Sequence, residues 1–233
     1  PRSTLFPYTT LFRSYIKNLI TGMCNSTDLI DTGLKQDKPE VVDAVWPIFK
    51  RIVRRMSIFV QDMLAFSKPR EPVREVCNMA SLAEEVAETF RSLAPQKRAV
   101  IEVDVSEASA PVYLDSKGMF SCLLNLVTNA GDAVPPMEGK IRIVARIVMN
   151  GTRRDLVLEV ADNGPGIPEE QINRIFEPFY STKGSMGTGL GLAVTLKTVH
   201  EHGGEISVER SPEGGALFRI VLPDAGRFAG HHA

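Results

Sequence analysis

The sequence predicts an α+β protein: a dimerising helical hairpin, a four-helix bundle as a dimer, followed by an α/β two-layer sandwich. Three observations carry this. Apolar residues recur at helical spacing from Tyr15 to Ser67. The stretch SKPREP (Ser67–Pro72) then concentrates helix breakers. Beyond it, helix-type periods alternate with short strand-type runs.

Ile16, Leu19, Ile20, Met23, Ile30 and Leu34 place one apolar stripe on a first helix, to about Lys35. Gly33 to Pro39 supplies a turn. In the second helix Val42, Phe49, Met56 and Met63 recur every seven residues, a coiled-coil or bundle pattern. Pro47 interrupts it and predicts a kink or a displaced start. Two helices bury little alone, so residues 15–68 are expected to form a homodimer.

Residues 69–75 read as a linker. SLAE (Ser81–Glu84) reads as a capping box opening a helix. Strands are expected at Val100–Val105 and Val112–Leu114, and a long helix over Ser116–Val134, stopped by Pro135-Pro136. Two strands, Lys140–Met149 and Asp155–Ala161, flank the hairpin signal Asn150-Gly151. A helix over Leu190–His202 ends at Gly203-Gly204, and the strands Glu205–Arg210 and Ala216–Leu222 close the domain. The domain spans residues 76–224, with 225–233 as a tail.

The chain has 233 residues, 43% of them hydrophobic, and a formal net charge of −1. That balance excludes a protein built mainly to hold nucleic acid or an anionic membrane. No apolar run is long enough to span a bilayer. Cys24, Cys77 and Cys122 are odd in number and far apart, as suits buried thiols in a reducing cytoplasm. His200 and His202 are two apart on a helix and make poor co-ligands; His231-His232 fall in the tail.

Three segments carry residues that packing does not need. In NLVTNAGDAV, Asn125 and Asn129 lie four apart on one helical face, where two amides suit a hard cation or its phosphates. In DNGPGIP, Asp162 ends a strand beside Gly164 and Gly166, which let backbone approach a ligand. An acceptor there suits a base edge such as an exocyclic amine. In GSMGTGLGLAV, Gly184, Gly187, Gly189 and Gly191 lead into a helix whose N–H groups can cradle phosphates. Each alone has a bland reading: bridging amides, a turn and a mobile loop.

In this order the segments resemble the N, G1 and G2 boxes of the ATP-binding domain shared by histidine kinases, gyrase, the large heat-shock chaperone and mismatch-repair ATPases. IFEPFYSTK (Ile175–Lys183) resembles the F box of histidine kinases, and HGGEISVERSPEGGALFRIVLP that family's closing hairpin. The resemblance implies ATP and Mg²⁺ as cofactors, with Asn129 as metal ligand and Asn125 its phosphate-side companion. It implies that Asp162 holds the adenine amine and that Gly164 and Gly166 line the adenine loop. Gly187, Gly189, Leu190 and Gly191 would shape a phosphate lid, with Lys183 reaching a phosphate.

The hairpin resembles the family's dimerisation and phosphotransfer domain, whose first helix carries a motif like His-Glu-Ile-Lys-Asn. SYIKN (Ser14–Asn18) matches it, with Ser14 in the place of the phospho-acceptor histidine and Tyr15 in that of the acidic neighbour. Asn18 matches the amide that positions water for dephosphorylating the partner, a response-regulator receiver domain. A serine hydroxyl is a poorer nucleophile than imidazole and needs its own base.

TLFPYTTLFRS (Thr4–Ser14) resembles a translated DNA sequencing adapter. Residues 1–14 are therefore expected to be non-native and to disfavour helix, through Pro7 and the threonines, with native sequence starting at Tyr15.

The leading expectation is thus the cytoplasmic transmitter portion of a sensor histidine kinase. Without an acceptor histidine, a non-catalytic ATP-binding dimer is the alternative. A serine kinase acting on a separate protein is a third, against which the hairpin with YIKN argues.

Overall fold

The computed structural model describes residues 6–67, 71–93, 99–108, 110–184 and 187–225, with side chains from Phe12 onward. Thr4, Leu5, residue 68 of the expected hairpin, residues 69 and 70 of the expected linker and the tail with His231 and His232 lie outside these. The chain forms two compact units: the hairpin with Glu177–Gly191, and the remainder.

In the first unit, α1 (Phe6–Lys35) is followed by α2 (Pro39–Ser67). The start of α1 corrects the expectation that residues 1–14 disfavour helix, for the described part from Phe6 to Ser14. Pro7 falls in the first turn, where its missing N–H is one that no helix pairs. The threonines each cost only about 0.7 kcal/mol relative to alanine. α2 runs through Pro47 to Ser67, so that residue neither ends the helix nor displaces its start. Leu19 and Phe59 are buried between the helices, and Tyr15 and Phe12 pack on Phe59 with ring centroids 4.9 and 5.7 Å away. Trp46, Val53, Val60 and Leu64 stay exposed.

In the second unit, the short β1 (Glu75–Cys77) pairs antiparallel with β3 (Val112–Leu114). The main sheet has the order β2-β4-β5-β7-β6. Its strands are β2 (Val100–Glu107), β4 (Lys140–Asn150), β5 (Arg153–Asp162), β6 (Glu205–Arg210) and β7 (Ala216–Leu222). Only the β2–β4 pair is parallel. Three helices, α3 (Met79–Leu93), α4 (Ser116–Ala133) and α6 (Gly191–Glu201), complete the layers, and a single turn, α5 (Glu169–Ile172), links β5 to the glycine-rich segment. The expected α+β class with a two-layer sandwich holds.

α3 starts two residues before the capping box read at Ser81–Glu84. Asn78 is the cap: its Oδ1 accepts the Ser81 N–H at 3.1 Å. This lets Met79 join the buried face of Leu82, Ala83, Val86, Ala87 and Phe90. α4 is capped by Asp115, which accepts the Gly118 N–H at 3.1 Å. Met119, Cys122, Leu123, Leu126 and Val127 of α4 are almost wholly buried, and Met119, Leu123, Leu126 and Val127 contribute roughly 1.5–3 kcal/mol each. α4 packs on β5, whose Leu156, Leu158 and Val160 are buried. On the other face of the sheet, the nearly buried Glu159 is held by Arg146 at 2.6 Å and Arg219 at 2.7 Å.

Candidate functional site

In the second unit, Asn125 and Asn129 stand half-buried on one stripe of α4, with Ala133 one further turn along. The strand end at Asp162 is folded onto the end of this stripe. A Cβ on Gly164 would come within 2.9 Å of the Ala133 carbonyl oxygen, so only glycine lets the loop sit so close. Asp162, 4% exposed, accepts the N–H groups of Gly164 at 2.8 Å and Ala216 at 3.2 Å, both on Oδ1. Burial pushes its carboxyl above the usual carboxylate range, and the two N–H donors oppose this. Gly166 has φ +77 and faces the Gly215 carbonyl. The structure therefore brings Asn125, Asn129, Asp162, Gly164 and Gly166 into one part of one unit.

The glycine-rich segment belongs to the other unit. There Phe179 and Gly189 lie side by side, the Phe179 N–H bonding the Gly189 carbonyl at 2.8 Å. A Cβ at Gly189 would approach the Phe179 Cα to 2.7 Å, and its φ of +65 is also one that glycine adopts freely. Leu190 is fully buried. Gly187 lies against Ser181 and Lys183, and burial lowers the Lys183 ammonium from its usual value. Gly191 opens α6. The Thr188 hydroxyl donates to Asp62 of α2 at 3.2 Å.

On α1, Ser14 and Asn18 are both exposed and lie four apart on one face of a continuous helix. Tyr15 turns the other way, with its hydroxyl buried and without a hydrogen-bond partner among the described residues.

The arrangement of helices and sheet recurs in known proteins. The profile of the histidine kinase-, DNA gyrase B- and HSP90-like ATPases matches residues 114–226. The catalytic domain of histidine kinase ThkA is 31% identical, with a TM-score of 0.54 over 65% of this chain and 97% of that one. This chain belongs to the histidine kinase family. NtrB of Rhodobacter capsulatus, a sensory histidine kinase/phosphatase, is 32% identical over 90% of this chain and 59% of its own length. NtrY of Azorhizobium caulinodans, a nitrogen regulation protein, is 33% identical over 91% of this chain and 28% of its own. The chain thus spans less than two thirds of either curated relative. ThkA in complex with the response regulator protein TrrA matches 96% of this chain and 63% of the ThkA chain, with a TM-score of 0.74 and 27% identity.

Within this histidine kinase fold, two site neighbours escaped sequence reasoning. Thr195 of α6, 1% exposed, accepts the Asn125 amide N–H at 2.9 Å. A hydroxyl on the buried stripe of Ala193 and Val199 was its signal. Gly215, in the turn before β7, presses on Asp162; the Gly214-Gly215 pair was its signal. His202, read from the sequence as a poor co-ligand for His200, lies in the same unit. It is buried, with Nδ1 2.7 Å from the Thr198 carbonyl and Nε2 accepting the Asp115 N–H at 3.4 Å. Among the described residues no cluster of three His, Cys, Asp or Glu side chains can hold a metal, and no helix is long and apolar enough to cross a membrane.

Proposed function

We propose that this chain is the transmitter portion of a sensor histidine kinase. It binds Mg²⁺–ATP in its second unit and serves transfer of the γ-phosphoryl group to a histidine on a dimeric hairpin. From there the group passes to an aspartate of a response-regulator receiver domain. The observation that carries the reading is Asp162, a buried carboxylate whose Oδ1 is saturated by two backbone N–H groups. Its second oxygen remains to accept the amine of adenine.

Gly164 and Gly166 bring backbone to the face of the base. Lys183, Gly187, Gly189, Leu190 and Gly191 are the residues that the family resemblance assigns to the phosphates, on a segment that belongs to the first unit. The donor set fits Mg²⁺. Two amides on one stripe supply neutral oxygen ligands, with no cluster of His, Cys or carboxylate side chains among the described residues. Such a site holds the ion only together with nucleotide phosphates and water. Asn129 would be the ligand, with Asn125 beside it. When bound, the ion neutralises charge on the transferring phosphates. The protein's own part is positioning, which is most of what phosphoryl transfer asks of it.

Ser14 stands at the acceptor position and Asn18 at the water-positioning one. Ser14 also favours a second reading, a non-catalytic ATP-binding dimer, for the polypeptide as it stands. Calorimetry with ATP tests the shared step. The chain is expected to bind ATP more tightly with Mg²⁺ than in EDTA, and Asn129→Ala to remove that gain. Equal affinity in both buffers for the unmodified chain would overturn the proposal.

A further inference from the structure

We infer that Thr195 is a positioning residue that fixes which end of the Asn125 amide is presented to a metal–nucleotide ligand. The inference rests on the proposed role of the Asn125–Asn129 stripe. A planar amide has a donor end and an acceptor end, and only its oxygen can ligate a hard cation. If the amide rotates freely, its NH₂ faces the ion part of the time and repels it.

The structure holds the amide in one orientation. Thr195 is 1% exposed, and its Oγ1 receives the Asn125 Nδ2–H at 2.9 Å. The carbonyl oxygen of Asn125 is then the end turned away from α6. The threonine is itself held in place. One turn earlier on α4, the Cys122 thiol lies 4.0 Å from the Thr195 carbonyl oxygen, so the two helices meet at two points on this residue. Cys122 is fully buried, with its thiol pushed up to about 12 by burial, and serves this contact as an inert, protonated group.

A valine at 195 would fill nearly the same volume while offering no acceptor to the amide. Serine would keep the acceptor. The role of Thr195 is therefore separable from its packing. It also differs from the roles read off the motifs, because nothing about Thr195 reaches the ligand except through Asn125.

The test uses the full chain and compares ATP affinity in Mg²⁺ with that in EDTA, by calorimetry. Loss of an orienting partner typically costs ten- to a hundredfold in metal affinity, so Thr195→Val is expected to cut the Mg²⁺-dependent gain about tenfold. Affinity in EDTA should stay unchanged, and Thr195→Ser should restore the gain. In an Asn125→Ala background, Thr195→Val should have no further effect. If Thr195→Val keeps the full gain while Asn125→Ala loses it, the positioning role is wrong and the stripe reading stands. If Asn125→Ala keeps the gain, Thr195 has no amide to position and the inference falls, while Asn129→Ala still tests the stripe by itself. Should Thr195→Val fail to fold, as judged by thermal unfolding, Thr195→Ala against Thr195→Ser reads the same contrast.

Discussion

Gly215 lies so close to Asp162 that a Cβ on it would overlap the Asp162 carboxylate and backbone oxygens and come within 2.6 Å of the Gly164 N. The turn before β7 thus packs directly against the strand-end carboxylate and the Gly164 N–H that it accepts. Neither backbone can yield without breaking the hydrogen bonds from Gly164 and Ala216 that aim the carboxylate. Gly215→Ala is expected to destabilise the fold by about 1–3 kcal/mol through overpacking. It should also lower ATP affinity in the fraction that remains folded. Denaturant unfolding and calorimetry read the two effects separately, and unchanged affinity would mean that the carboxylate is not the nucleotide's acceptor.

Asp162→Asn separates binding from stability. Asparagine can keep its oxygen on the two N–H donors, which leaves an NH₂ to face the adenine amine, donor against donor. Loss of that buried hydrogen bond costs about 1–3 kcal/mol, so affinity should fall roughly tenfold or more. Stability should move the other way. Folding raises the Asp162 pKa above its ordinary 3.8, mainly through burial, so the folded state prefers the protonated group. Its favourable contribution is present below the ordinary value and is lost as pH rises through the raised one. At pH 7 the asparagine variant should therefore be at least as stable as the parent. Any advantage should vanish as pH falls through the carboxylate range. Thermal unfolding from pH 3 to 7 reads the crossover, and a variant less stable at pH 7 would contradict it.

What the sequence made legible was local. β6 and β7 fall where alternation and flanking glycines put them, and α4 ends where Pro135 requires. Asp162 is found at a strand end and the Asn125–Asn129 pair on one stripe, because spacing alone decides both. The start of α1 was misread. Pro7 and threonines weaken a helix only by local propensity, and propagation from a well-formed helix downstream outweighs that. β1 is three residues long, too short to show a period. Thr195 and Gly215 act on partners far away in the chain, 70 residues for Thr195 and Asn125. Only the fold brings them together.

The hairpin's exposed residues carry the prediction about assembly. Trp46, Val53 and Val60 recur every seven residues on α2 and remain 45%, 40% and 46% exposed, while Phe59 is 2% exposed within the hairpin. The first set has the spacing of a face waiting for another helix. Val53→Glu or Val60→Glu is expected to convert a dimer into a folded monomer, since an unpaired charge in such a seam costs several kcal/mol. Phe59→Ala should instead unfold the hairpin, at about 3–5 kcal/mol. Light scattering with circular dichroism distinguishes the outcomes, and a monomeric unmodified chain would remove the bundle.

Ser14 decides whether the kinase reading extends to this polypeptide. It lies on a continuous α1, exposed, on the same face as Asn18, so a side chain placed there needs no new helical segment to hold it. A hydroxyl is a weak nucleophile near neutral pH without an adjacent base, whereas imidazole attacks as the neutral species. The unmodified chain is therefore expected to bind ATP and to take no label from γ-labelled ATP on the hairpin. Ser14→His alone should produce acid-labile, base-stable label at position 14, and adding Asn129→Ala should abolish it. Tyr15 leaves the position without the acidic neighbour of the motif, so labelling should be slow; Tyr15→Glu in the same chain should speed it. If Ser14→His binds Mg²⁺–ATP and dimerises yet stays unlabelled with either residue at 15, the chain is a nucleotide-binding dimer and not a kinase.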